Sequence, residues 1–327
     1  MIIHLFRSRF YGQYLGLMVL TALLWLDVIL EPSLLDNLQP GFRQDWLNGL
    51  VGRYPAITSI ASVVLLVLQA IMFNQILENY RLTARNQLLA AALYILMMSS
   101  APVLVQPNMM IIVNFLMILL LYRIFSYYGH TEPYSIVFDT GIIIGLASLL
   151  YFPMIYFIVL VWMGLIVFLN FNWRTFTISI MALLTPYLFA GVWFFWAGSL
   201  DMQFELLISK FSFESFPAFE FDAYVFFIWP LFGLLILSGI GMVMRRITGN
   251  TIAVRKDFSM LIIFLIFALA TAVFSGAMLK FHLMLAIIPL AALLSAYLSQ
   301  ARKIFWAEMI VALIMITIFA GKLARFL

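Results

Sequence analysis

Apolar stretches long enough to cross a lipid bilayer follow one another along this chain with little between them, and that succession decides what it can fold into. A spanning helix needs about 20 mostly apolar residues, and about eleven candidates (ten to twelve) can be marked. They fall near 13–30, 55–76, 88–105, 108–124, 134–151, 153–169, 176–197, 223–244, 259–278, 282–299 and 305–323. The third to sixth are short or interrupted by proline, so two of those pairs read either as full crossings or as hairpins. No polar stretch is long enough for a soluble domain. The expected fold is therefore an all-α polytopic transmembrane helical bundle, with 1–327 as a single integral membrane domain and long connections only at about 31–54 and 199–222.

Composition supports this and excludes several functions. Of 327 residues 65% are hydrophobic and 10% charged, with mean hydropathy +1.10, whereas a soluble chain is roughly half apolar and a quarter charged. A pI of 9.3 would suggest nucleic acid in a soluble protein, but here the net charge of +4 is spread over connecting loops, so no nucleic-acid partner is expected. The absence of cysteine excludes disulfides, thiolate metal sites and cysteine nucleophiles. His4, His130 and His282 fall in three different connections without metal-ligand spacing, so no metal site is expected. No glycine-rich phosphate loop and no Gly-x-Ser-x-Gly elbow occurs. No ladder of ionisable residues crosses the apolar segments, which argues against a charged-relay pump. Inverted repeats are not visible either, which weakens a transporter reading.

The basic residues give an orientation, because cytoplasmic loops carry an excess of Lys and Arg. With the N-terminus in the cytoplasm, Arg7, Arg9, Arg81, Arg85, Arg123, Arg174, Arg245, Arg246, Arg255, Lys256, Arg302 and Lys303 fall inside. Arg43, Arg53, Lys210, Lys280, Lys322 and Arg325 fall outside. The acids lean the other way: Asp27, Glu31, Asp36, Asp45, Asp201, Glu205, Glu214, Glu220 and Asp222 are all outside. The basic start and apolar run of the N-terminus look like a signal peptide, but Leu26-Asp27-Val28 offers no small-x-small cleavage site. A retained first helix is expected. Trp25, Trp173, Trp193, Trp196 and Trp306 stand near expected helix ends, as interfacial anchors do.

Polarity on the outside face marks where chemistry has room. In the first long loop, Phe42, Trp46, Leu47 and Leu50 recur at helical spacing with Arg43, Asp45 and Asn48 on other faces, the pattern of a short amphipathic helix on the membrane. Asp36 or Asp45 could serve there as a base, or simply meet water. In the second loop, Phe211, Phe213, Phe216, Phe219 and Phe221 surround Glu214 and Glu220, a set that suits either membrane anchoring or a lid over a lipid tail. Lys280 and His282 interrupt the apolar run from Met260 to Leu298. Two potential cations at an interface can hold an anion such as a lipid phosphate, or be a snorkelling lysine beside an ordinary histidine. Within the membrane, Gly141 and Gly145 form a GxxxG pattern that brings helices together, with Asp139 at the inner headgroup level. Gln69, Asn74, Gln75, Asn108 and Asn114 are suited to hydrogen bonds between helices.

Three stretches carry a resemblance. Phe138-Asp-Thr-Gly-Ile-Ile-Ile-Gly-Leu-Ala-Ser-Leu-Leu resembles a small-residue helix of polytopic glycosyltransferases of the GT-C type. Leu279-Lys280-Phe-His282-Leu-Met-Leu-Ala-Ile-Ile-Pro289-Leu-Ala-Ala-Leu-Leu looks like their late helix, in which a basic residue precedes prolines. Ser100-Ala-Pro102 with Gln106-Pro-Asn108 resembles their turn between the third and fourth helices. The resemblance implies a GT-C-like arrangement and an enzyme that uses a polyprenyl-phosphate-linked sugar on the periplasmic face. It implies Asp36 or Asp45 as catalytic base, with Lys280, His282 and Arg43 holding the lipid phosphate. The chain departs from the pattern where Asp27 and Glu31 stand four apart before Pro32, and where Asn108 replaces an acid. As a whole it also resembles a multi-pass inner-membrane family of Bacteroidetes-type bacteria, which implies a location in the bacterial inner membrane and no activity. The readings carried forward are thus a GT-C-like transferase, a non-enzymatic membrane subunit that holds a protein partner, and a transporter or lipid-handling protein.

Overall fold

Two helix starts in this chain, at Asn108 and Asn172, are fixed by side chains that take up free backbone N–H groups. Asn172 accepts from the Thr175 N–H while Thr175 returns a bond from the Asn172 N–H, a reciprocal cap. Asn108 caps the Ile111 N–H at 3.2 Å without a return bond. The computed structural model describes residues 6, 12–26, 54–100, 108–130, 132–168, 171–209, 251–272, 282–300, 308–309, 311–313, 315–316 and 318. All regular structure among these is helical. In chain order the helices are α1 (Gly12–Leu24), α2 (Pro55–Asn79), α3 (Leu89–Met98), α4 (Met109–Phe125) and α5 (Tyr134–Leu150). A 3-10 turn (Phe152–Phe157) then leads into α6 (Ile158–Val167), α7 (Trp173–Trp196), α8 (Leu200–Ser209), α9 (Ile252–Thr271) and α10 (Met284–Gln300). The expected spans at 223–244 and most of 305–323 lie outside the described residues, as do the amphipathic segment at 42–50 and the phenylalanine-rich segment at 211–221.

Contacts between named residues give the directions. Gln69 of α2 meets Ile111 of α4, and Tyr80 at the end of α2 meets Tyr122 and Phe125 at the end of α4, so these two helices run parallel. Arg123 and Asp139 pair at 3.2 Å where α4 ends and α5 begins, so α5 returns antiparallel. Phe157 packs on Phe264, and Met260 lies beside Gly164, which sets α9 antiparallel to α6. The ends of α2, α4 and α6 thus gather with the starts of α5, α7 and α9. Arg81, Arg85, Arg123, Arg174, Arg255 and Lys256, all the lysines and arginines among the described residues, lie at this one end. Here Lys256 lays its ammonium over the Tyr128 and Phe168 rings, keeping its apolar stem in the bundle.

The core is built around α3, whose ten residues are all buried against α1, α2 and α10. The closest approach joins α5 and α7. A methyl added to Gly141 would stand 2.5 Å from Ala182 Cβ, and one on Gly145 would stand 2.6 Å from the Leu183 carbonyl and 2.9 Å from Pro186 Cγ. Only glycine allows that approach, so the GxxxG pattern works as helix packing. Pro186, inside α7, has no N–H to donate, and its ring fills the groove over Gly145.

Two helices, Ala56–Asn79 and Trp173–Trp196, are long and apolar enough to cross a membrane. In each, 28% of the apolar window is buried within the protein. Six further apolar segments are shorter, at 10–17 residues. One boundary differs markedly from the sequence expectation: the span read at 259–278 is a helix from Ile252 to Thr271. Hydropathy discards Arg255, Lys256 and Asp257, but the helix includes all three, and its cations reach the basic end. The expected span at 153–169 opens as a 3-10 turn over Phe152–Phe157 before α6 begins. Trp25 is also corrected as an interfacial anchor. It is fully buried and donates its indole N–H to Ser99 Oγ at 3.0 Å. Trp173, Trp193 and Trp196 are exposed at the two ends of α7.

Candidate functional site

At the end opposite the cations, three elements converge on His282, just ahead of α10. Tyr151, which closes α5, places its hydroxyl 3.1 Å from His282 Nδ1. Thr271, the last residue of α9, places Oγ1 3.1 Å from Nε2. The Ala268 carbonyl is 3.0 Å from the same nitrogen. A carbonyl can only accept, so Nε2 carries a proton; a neutral ring then accepts at Nδ1 from the Tyr151 hydroxyl. Thr271 donates its own proton to the Phe267 carbonyl at 2.7 Å, leaving its oxygen free to accept from Nε2. The ring is fully buried.

That geometry corrects the expectation for His282 as a phosphate ligand at the interface. Both ring nitrogens are committed to protein groups, and no edge of the ring reaches the surface. His282 is a joint between α5, α9 and the start of α10. Removing it as His282→Ala should lower stability by about 1–3 kcal/mol, the cost of leaving buried partners unsatisfied. Tyr151→Phe, which removes one partner only, should cost about 1 kcal/mol. Thermal unfolding in detergent checks both, and equal, negligible shifts would mean the joint holds nothing together.

A second buried polar group lies next to this joint. Gln69 of α2 donates to the Ile111 carbonyl of α4 at 2.7 Å and accepts from the Tyr94 hydroxyl of α3 at 2.9 Å. Asn114 of α4 directs its amide toward the Met284 carbonyl of α10 at 3.5 Å. Four helices are tied together by side chains that all count as buried. Asn74 adds a bond to the Gln87 carbonyl at 2.8 Å. Of the five residues read as helix-to-helix hydrogen bonders, Gln69 and Asn114 make such contacts, whereas Asn74 reaches the connection ahead of α3, Asn108 caps its own helix and Gln75 is exposed.

At the basic end Asp257 stands apart. It is 2% exposed, its Oδ1 has no hydrogen-bond partner, and no cation pairs with it among the described residues. It lies two residues ahead of the span read from hydropathy, and burial pushes its carboxyl up to about 7. Tyr80, near enough to feel that carboxylate, is pushed up to about 12, first by burial and then by Tyr122 and Asp257. Asp139 is different: half-exposed and paired with Arg123.

Asp36, Asp45, Arg43 and Lys280 lie outside the described residues, so of the five site residues read from sequence the structure positions His282 alone. Sequence reasoning missed its partners Tyr151 and Thr271, since a tyrosine and a threonine at helix ends carry no local signal of a shared histidine. Asp257 was missed because an acid beside Arg255 and Lys256 reads as part of a solvated helix end. Among the described residues no three His, Asp or Glu side chains group to hold a metal ion. No protein-family model matches the chain, and neither a curated protein nor a solved structure matches it.

Proposed function

We propose that this chain is a multi-spanning protein of a bacterial inner membrane, with the basic end in the cytoplasm and its working face at the opposite end. The observation that carries this is the exposure of its apolar helices. Leu15, Met18 and Leu23 of α1, Ile57, Ile60 and Val64 of α2, and Leu188, Phe189 and Val192 of α7 all face outward. The core helix of a soluble protein would be largely buried, so these faces call for an apolar solvent. Helix α7 supports the depth: Trp173 and Trp193, both exposed, are 20 positions apart, about 30 Å along a helix. That is the thickness of a hydrocarbon core, about 30 Å, with tryptophan at each boundary. The gathering of described cations at one end supports the orientation.

The finer reading is a GT-C-like transferase acting on a polyprenyl-phosphate-linked sugar at the periplasmic face. In it, Asp36 or Asp45 is the base that deprotonates the acceptor, and Lys280 with Arg43 holds the lipid phosphate. His282 takes a positioning role. It ties the start of α10 to Tyr151 and Thr271, two residues after Lys280 in the sequence. The test is mass spectrometry of lipid retained on purification. A polyprenyl phosphate should be recovered with the native chain and depleted from Lys280→Ala. Asp36→Asn and Asp45→Asn should both leave the fold intact, and at least one should abolish sugar transfer. Unchanged lipid in Lys280→Ala, or transfer surviving in both aspartate variants, would overturn this reading. The second reading, a non-enzymatic subunit that holds a protein partner, is favoured by one observation: in the pairs Tyr94–Gln69 and Tyr151–His282 the polar groups bond to each other.

A further inference from the structure

Helix α8 is set off from α7 by a single sharp turn. Gly198 has φ +65°, a conformation that costs other residues energy. The backbone there is held by bonds from Gly198 N–H to the Phe195 carbonyl and from Ser199 N–H to the Phe194 carbonyl. The turn follows Trp193, Phe195 and Trp196, all exposed at the end of α7 opposite the cations. The second long loop of the sequence therefore begins as a ten-residue helix.

The faces of α8 fall into three sectors. At about 100° per residue, Gln203 and Leu207 share the side that is half-buried. Moving round the helix, Leu200, Phe204 and Ile208 come next, spaced four apart and exposed. Asp201 and Glu205 follow, also exposed, with exposed Met202 beyond them. Protein contact, exposed apolar stripe and exposed acids thus succeed one another around the axis. A helix lying along a bilayer surface beside a membrane bundle has this order, with protein at its flank, acyl chains beneath and water above.

We propose that α8 is an in-plane anchor seated in the outer leaflet, with Leu200, Phe204 and Ile208 in the lipid and Asp201 and Glu205 in the aqueous layer. The occupant of the stripe is lipid for two reasons. The stripe starts at exposed Leu200, four residues after exposed Trp196 at the end of α7, a helix long enough to cross a membrane. The flanking charges are acids, which stay hydrated at a surface and give anionic lipid nothing to bind, so a neutral bilayer suffices. The inference rests on the membrane reading above and extends it to the part of the chain that caps α7.

The native chain contains no cysteine, so a single introduced thiol is a unique labelling site. Phe204→Cys, Ile208→Cys, Glu205→Cys and Leu188→Cys are each made in the full chain, nitroxide-labelled and placed in phosphatidylcholine nanodiscs. Collision with oxygen, which partitions into lipid, is compared with collision with a water-soluble nickel chelate. The expected result is an oxygen-to-nickel ratio several-fold higher at 204 and 208 than at 205, with 188, midway along the exposed face of α7, higher still. If 188 is oxygen-rich but 204 and 208 match 205, α8 stands off the membrane and the anchor is overturned while the membrane reading survives. If 204 and 208 are shielded from both reagents while 188 is oxygen-rich, a protein covers the stripe, and the anchor is again overturned. A nickel-rich 188 would overturn the membrane reading and the anchor with it.

Discussion

Gly145→Leu should prevent α5 and α7 from docking, with loss of the folded protein from detergent extracts, whereas Gly191→Ala should leave it unharmed. Both glycines lie on apolar helices, so composition alone does not separate them. The packing does. A methyl at Gly145 meets the Leu183 carbonyl at 2.6 Å and the Pro186 ring at 2.9 Å, while one at Gly191 has nothing within 4 Å. Backbone and a proline ring cannot swing aside as a long side chain would, so the helices themselves must separate. Overpacking of this kind costs about 1–3 kcal/mol even for small additions. Gly145→Ala and Gly141→Ala should each fall in that range, and leucine well beyond it. Helix separation would also break the bond from Tyr187 to Ser148, 2.8 Å long and one turn past Gly145. Thermal unfolding and yield of monodisperse protein measure the series. Equal losses for Gly145→Ala and Gly191→Ala would show that close approach is not what these glycines supply.

Those two glycines were legible in the sequence because their signal is local: four residues apart, flanked by isoleucine, with nothing polar to confuse the pattern. The helical class was legible for the same reason, since apolar runs of this length have few alternatives. Asp139 could be read as a residue near a helix end from its position one turn into an apolar segment, although its partner Arg123 could not be named. Trp25 and His282 were misplaced for a shared physical reason. An aromatic or imidazole side chain near a helix end suits an interface equally well as a buried hydrogen bond, and the deciding partners, Ser99 and the pair Tyr151 and Thr271, are distant in sequence. The early start of α9 was hidden by hydropathy itself, because a scale that penalises Arg255 and Lys256 is blind to an aliphatic stem such as that of Lys256, whose charge lies over aromatic rings. Helix α8 was hidden by its length, too short to register as a span and too apolar to look like a solvated loop.

Asp257→Asn should stabilise the protein at neutral and alkaline pH and make little difference near pH 4. The carboxyl is 2% exposed, with Oδ1 unpaired. Lys256 beside it is turned to the Tyr128 and Phe168 rings, and Arg123 is engaged with Asp139. Burial raises the folded-state value from 3.8 to about 7. For an acid raised in the folded state, the native protein holds a proton that the unfolded chain has released at any pH between those values. Stability therefore falls as pH rises from about 4 to about 7 and levels off above, where both states are ionised. The difference amounts to on the order of 4 kcal/mol for a shift of this size. Asparagine keeps the shape and removes the titration, so unfolding midpoints of native and variant should nearly coincide at the acid limit and separate progressively toward pH 8, with the variant higher. A separation independent of pH would locate the effect in packing. A native protein more stable than the variant at pH 8 would mean that the Asp257 carboxylate has a partner at the basic end that offsets its burial.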